Sequence, residues 1–108
     1  MNDQVIELAS IKLAAGRTEA QLIEASQAFQ NGFLNAQDGF IRRDLVRKSD
    51  GNYMDIIHWQ SRAHADAILE KAQSSDVVGE FFALMDIDPE KMDEGVEHCT
   101  LLGSFTRI

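Results

Sequence analysis

Asp55 and Trp59 stand four residues apart in a run with strand chemistry, Tyr53–Gln60 (YMDIIHWQ). Side chains alternate across a strand, so Tyr53, Asp55, Ile57 and Trp59 share one face. That face joins two useful groups. An indole can stack on an aromatic ring and donate its N–H. A carboxylate stripped of water has a raised pKa, which fits it for work as a base or an acid. A second run, Phe40–Lys48 (FIRRDLVRK), precedes it across Ser49-Asp50-Gly51-Asn52. Asp-Gly supplies the positive φ that tight turns demand, so the two runs read as a β-hairpin. A two- or four-residue loop sets Val46 opposite Asp55, Asp44 opposite Ile57 and Arg42 opposite Trp59. Arg42, Asp44 and Val46 then join the Asp55 face, with Ile41, Arg43, Leu45, Met54, Ile56 and His58 on the other. A three-residue loop breaks this sorting. On the expected register, Tyr53 or Arg42 can hold an oxyanion beside Trp59 and Asp55.

Each of these residues also has a plainer reading. Trp59 fits equally well as core packing, and Asp55 and Arg42 as a diagonal ion pair between neighbouring strands. Tyr53, next to the turn, reads as a strand residue at the solvent rim. His58 and His98 fall on strands; with Glu7 they suggest a metal, but satisfied buried histidines are commoner and no metal is expected. His64 reads as surface and Cys99 as a small buried apolar residue. The acids Asp86, Asp88, Glu90, Asp93, Glu94 and Glu97 lack calcium-loop spacing and read as a solvated surface. Phe81, Phe82 and Met85 are core residues, or the apolar wall of a cavity if one exists.

These groups must be positioned by the rest of the chain. Its 108 residues suit one domain, residues 1–108, with a modest core, and an apolar content of 44% is ordinary for a folded protein. A net charge of −8 disfavours nucleic acid or an anionic membrane as partner. The single cysteine cannot form an internal disulfide, which points to a reducing cytoplasm. No apolar run approaches a membrane span, and the start MNDQ lacks the basic and apolar character of a signal segment.

Val5–Leu13 reads as the first strand, with Val5, Glu7, Ala9, Ile11 and Leu13 on one face and Ile6, Leu8, Ser10 and Lys12 on the other. Thr18-Glu19-Ala20-Gln21 is a capping box. It opens a helix whose stripe is Leu22, Ala25, Ser26, Phe29 and Phe33. Ser61 caps a second helical region with Ala65, Ile68, Leu69 and Ala72 on one face. Ser74-Ser75-Asp76 interrupts that region, which is two pieces or one kinked helix, and Asp76 can cap the next piece. Asp88-Pro89-Glu90 resembles a capped short turn, and Val96–Arg107 reads as the last strand.

The order β-α-β-β-α-β predicts an α+β, ferredoxin-like, four-stranded antiparallel sheet with helices on one face. Strands apolar on both faces leave the second face needing cover, so a two-fold homodimer is expected.

The segments GFIRRDLVRKSDGNYMDIIHWQSRAHADAIL and SSDVVGEFF resemble the antibiotic biosynthesis monooxygenase domains of the dimeric α+β barrel superfamily. The resemblance rests on Gly39-Phe40, Leu45, the turn, Trp59-Gln60-Ser61 and the helix entered through that serine. It implies a dimer with facing sheets and a cavity between sheet and helices in each subunit. The family includes cofactor-independent oxygenases, haem-degrading enzymes and members without known activity. In its oxygenases a third-strand tryptophan and a polar residue four positions earlier line the cavity, which implies that role for Trp59 and Asp55. Ala65 stands near the place of their catalytic tyrosine, and Leu69 where the haem-degrading branch has a ligand histidine. Haem is therefore not expected. The implied function is a cofactor-independent monooxygenase acting on a phenol, hydroquinone or polyketide-like substrate, with Asp55 and Trp59 catalytic and Arg42, Tyr53, Ile57, Phe81, Phe82 and Met85 binding substrate. The alternative is a non-catalytic dimeric barrel that holds a small hydrophobic ligand or serves as an accessory protein.

Overall fold

A computed structural model describes residues 3–88, 90 and 95–107. Strand β1 (Val5–Ile11) leads to helix α1 (Glu19–Gly32) and a short 3-10 turn, Leu34–Ala36. The hairpin β2 (Phe40–Arg47) and β3 (Tyr53–Trp59) follows, then α2 (Arg62–Ala72), α3 (Asp76–Ala83) and β4 (Val96–Thr100). The sheet runs β2-β3-β1-β4 with every neighbouring pair antiparallel. Because α1 carries the chain across the sheet, β1 and β2 are left apart, and β3 fills the gap. This is the ferredoxin-like arrangement that the element order predicts.

Local chemistry explains the helices. Thr18 Oγ1 accepts the Gln21 N–H at 3.2 Å, and the Gln21 side chain accepts the Thr18 N–H at 3.0 Å, closing the capping box. Leu22, Ser26 and Phe29 then line the buried face of α1. Ser61 Oγ caps α2 by accepting the His64 N–H at 3.2 Å. The second helical region is indeed two pieces, but Ser75 occupies the N-cap of α3 and Asp76 sits inside its first turn. There the aspartate carboxylate favours the positive end of the helix dipole. The core joins Ile11, Leu22, Phe29, Phe33, Leu34, Ile57, Trp59, Ala65, Val78 and Phe81 in one cluster between the helices and the sheet.

The hairpin departs from the expected register. Lys48 N–H reaches Asn52 O at 2.7 Å and Gly51 N–H reaches Lys48 O at 3.0 Å, so the loop is Ser49-Asp50-Gly51. Gly51 takes the left-handed φ of 89° that ends such a three-residue loop. This slides β2 by one residue: Arg43 pairs with Ile57, Leu45 with Asp55 and Arg47 with Tyr53. A bulge between Phe40 and Arg42 then sets Phe40, in place of Ile41, opposite Trp59. Consequently Arg43 and Leu45 join the Asp55 face, while Arg42, Asp44 and Val46 move to the outer face with His58, Ile56 and Met54.

The first and last strands are shorter than the sequence suggests. Leu13 lies outside β1 but makes an isolated bridge with Met85. Pairing of β4 ends at Thr100, opposite Val5, because β1 offers no further strand residue. Leu101 N–H still reaches Gln4 O at 2.8 Å, and residues beyond it are irregular and mostly exposed. The Asp88-Pro89-Glu90 turn and the acids Asp93 and Glu94 lie partly or wholly outside the described residues.

Candidate functional site

Trp59 closes β3 two residues before the Ser61 cap and is 1% exposed. Phe40 meets its indole edge-on, with ring centroids 5.7 Å apart at 75°. Its Nε1–H is buried and has no acceptor among the described residues. Leaving such a donor unpaired costs about 1–3 kcal/mol, so the group calls for an explanation.

Asp55, two positions along the same face from Ile57, is 3% exposed. Its carboxylate accepts a hydrogen bond from Arg43 Nε at 3.1 Å. Both terminal nitrogens of the guanidinium are engaged as well. Nη1 donates to Ser26 O at 3.3 Å and to Gln30 Oε1 at 3.4 Å, and Nη2 donates to Ser26 Oγ. The guanidinium carbon also lies 4.9 Å from the Phe29 ring centroid and 5.4 Å from that of Phe81. Arginine suits this place because its planar fork satisfies several acceptors while its faces lie on aromatic rings. Burial nevertheless pushes the Asp55 carboxyl above its ordinary range, and the nearby Glu7 adds to the rise, against the opposing pull of Arg43.

The other expected site residues divide into two groups. Ile57 is buried between Asp55 and Trp59, and Phe81 stacks on Phe29 with centroids 4.8 Å apart. Both pack into the same core cluster. Arg42 is not among them: the three-residue loop places it on the outer face, where it pairs with Asp44 at 3.0 Å. Tyr53 is on the right face but six residues from Trp59, about 20 Å along the strand at roughly 3.3 Å per residue. It borders a cleft of about 220 Å³ whose lining includes Glu19, Leu45 and Arg47. Arg47 and Glu19 pair there at 2.8 Å, and burial and the Glu19 carboxylate raise the Tyr53 phenol. Phe82 is 42% exposed, and Met85 packs at the core's margin beside Leu13.

Sequence reasoning missed Arg43 as the partner of Asp55, and Ser26 and Gln30 as the other acceptors of that guanidinium. Asp50-Gly51 gave no warning of this, since the pair suits a two-residue loop as well as the three-residue loop that the chain adopts. The structure also pairs Glu7 with His98, Oε1 to Nε2 at 3.1 Å, across β1 and β4. By strand parity these two share the face of Asp55 and Trp59, whereas His58 points outward.

The sequence matches no protein-family model and no curated protein. Solved structures do match. SnoaB from Streptomyces nogalater, a cofactor-independent oxygenase, is 20% identical, with 96% of each chain covered and a TM-score of 0.66. A candidate antibiotic biosynthesis monooxygenase from Chloroflexus aurantiacus is 14% identical, with 95% of this chain and 97% of that one covered and a TM-score of 0.63. A dimeric ferredoxin-like protein of unknown function from Jannaschia is also 14% identical, with 91% and 97% covered and a TM-score of 0.59. At these identities the likeness concerns the chain's path alone. The protein therefore shares the ferredoxin-like α+β fold of these structures.

Proposed function

We propose that this protein is a homodimeric, cofactor-independent monooxygenase that oxidises a phenol or hydroquinone with dioxygen on the helix-covered face of its sheet. The observation that carries the reading is the buried indole N–H of Trp59, a donor with no acceptor among the described residues. A phenolate oxygen is a fitting acceptor, and the indole ring offers a flat apolar surface for the rest of the substrate. The reaction needs no bound electron carrier. A deprotonated phenol gives up electrons to dioxygen, a carbon–oxygen bond forms, and loss of the ring proton with cleavage of the peroxide O–O bond leaves a quinone and water. Trp59 stabilises the oxyanion in that sequence. Asp55, with its raised pKa, takes the ring proton once substrate loosens its tie to Arg43. Ile57 and Phe81 form the apolar wall. The likeness to SnoaB in fold supports this reading. The half-buried outer-face residues Ile6, Leu8, Met54 and Ile56 support a second subunit there. The lone cysteine fits a cytoplasmic setting.

One observation favours a second reading. The Arg43 fork ties Asp55 to Ser26 and Gln30 in one buried network, as a purely structural pair would. On that reading the protein binds a small hydrophobic molecule without altering it. Oxygen uptake with a panel of hydroquinones, EDTA present, separates the two. The oxygenase reading expects uptake above autoxidation that falls at least about tenfold, roughly 1.4 kcal/mol, in Trp59→Phe. Binding without uptake assigns the protein to the second class.

A further inference from the structure

We infer that His98, backed by Glu7, takes the hydroxyl proton of the phenolic substrate. This rests on the site proposed at Trp59 and adds its first proton acceptor. The sheet register puts Glu7 directly opposite Ile57 on β3 and opposite His98 on β4. The next row on that face pairs Trp59 with Val5 and Val5 with Thr100. Glu7 thus lies one row from the indole on the neighbouring strand, and His98 one strand further on, on the same side of the sheet.

The dyad's placement fits removal of the hydroxyl proton, the first to leave, better than that of Asp55 does. Asp55 is 3% exposed and tied to Arg43, which is itself held by Ser26, Gln30, Phe29 and Phe81. Glu7 and His98 each keep 18% side-chain exposure. Flanking His98 on β4, Val96 is 40% exposed and Thr100 is exposed, so the helical layer stops short of this strand. A ring approaching Trp59 from the β4 side passes His98. The carboxylate of Glu7 accepts from His98 Nε2, which fixes the neutral tautomer with its proton on Nε2 and leaves the Nδ1 lone pair free. In the transfer the phenol O–H bond breaks and an N–H bond forms at Nδ1. The imidazolium so made is neutralised by Glu7, as Asp55 is by Arg43. The new phenolate therefore faces two internally compensated pairs, and its oxygen finds the Trp59 N–H. No third His, Cys, Asp or Glu joins the dyad as a metal-binding group among the described residues.

The test uses 4-nitrophenol and 4-nitrocatechol, whose ionised forms absorb at visible wavelengths, at a pH where the free probes are mostly protonated. Quenching of the single tryptophan reports binding separately from ionisation. Wild type is expected to raise the ionised-to-neutral ratio of bound probe about tenfold, one pKa unit. His98→Gln is expected to bind the probe yet lose that gain, and Glu7→Gln to lose part of it. Near-ultraviolet circular dichroism matching wild type keeps misfolding out of the comparison. Equal ionisation on wild type and His98→Gln overturns the inference, as does failure of both probes to bind wild type. If hydroquinones drive oxygen uptake but ionisation ignores His98, only the dyad's role falls. If ionisation follows His98 but no hydroquinone is oxidised, the oxygenase reading falls and the dyad stands.

Discussion

The buried pair of Arg43 and Asp55 decides more about this protein than its surface charges do. Among the described residues, five other lysine– or arginine–carboxylate pairs, such as Arg42–Asp44 and Arg62–Asp66, keep both side chains over a third exposed and contribute little. Arg43 and Asp55 are both nearly sealed from water. Asp55→Ala strands the guanidinium among aromatic rings, and urea unfolding is expected to show a loss of about 3–5 kcal/mol. The double replacement Arg43→Met with Asp55→Leu is expected to cost less than Asp55→Ala alone, because no lone charge remains. The pH dependence has a definite sign. Burial raises the Asp55 pKa above its ordinary 3.8, so the folded chain holds this proton more tightly than the unfolded one. That contribution to stability is present below the ordinary value and is lost as pH rises through the raised one. Relative to Asp55→Asn, wild type is therefore expected to lose stability as pH climbs from about 3.8, then to level off. A flat difference across that range contradicts the assignment. The pair was hidden from the sequence by one position: reading Arg42 as the partner placed the right charge on the wrong face.

At the scale of elements, the hairpin loop sets that position. Gly51 has a φ of 89° with open space around it, so Gly51→Ala tests backbone strain alone and is expected to cost about 1–2 kcal/mol. Gly39 has a φ of 81°, and a Cβ there would collide with the His64 ring. Gly39→Ala is therefore expected to lower the melting temperature more than Gly51→Ala does; equal losses would mean that the ring yields freely. Thr18→Ala removes one half of the capping box and is expected to cost about 1 kcal/mol. Element type and order were legible because capping and periodicity are local signals: Thr18 with Gln21, Ser61, and the break before α3 each mark their own boundary. Register was not, because two-, three- and four-residue loops share the same Asp-Gly signal. The extent of β4 was also illegible, since pairing stops where β1 runs out rather than where strand-forming residues do.

The whole molecule leaves one face of its sheet without helices. Ile41 and Val46 are exposed on β2, and Leu102 and Phe105 are almost fully exposed beyond β4. Light scattering is expected to give the mass of a dimer, and Ile56→Asp on the outer face to shift it toward monomer; a monomeric wild type removes the proposed interface. The face shared by Asp55 and Trp59 was legible from alternation within β3 alone. The neighbours of that face depended on pairings across four strands. Glu7 and His98, 91 residues apart, meet only in the folded sheet. The site's central group also offers its own probe, because Trp59 is the chain's only tryptophan. Its indole N–H gives one proton–nitrogen NMR resonance, which can be followed while a hydroquinone is added under argon. A substrate oxygen bonded to that N–H is expected to move the resonance downfield and slow its exchange with solvent. An indole signal unmoved in position and exchange while the hydroquinone saturates the protein contradicts the account.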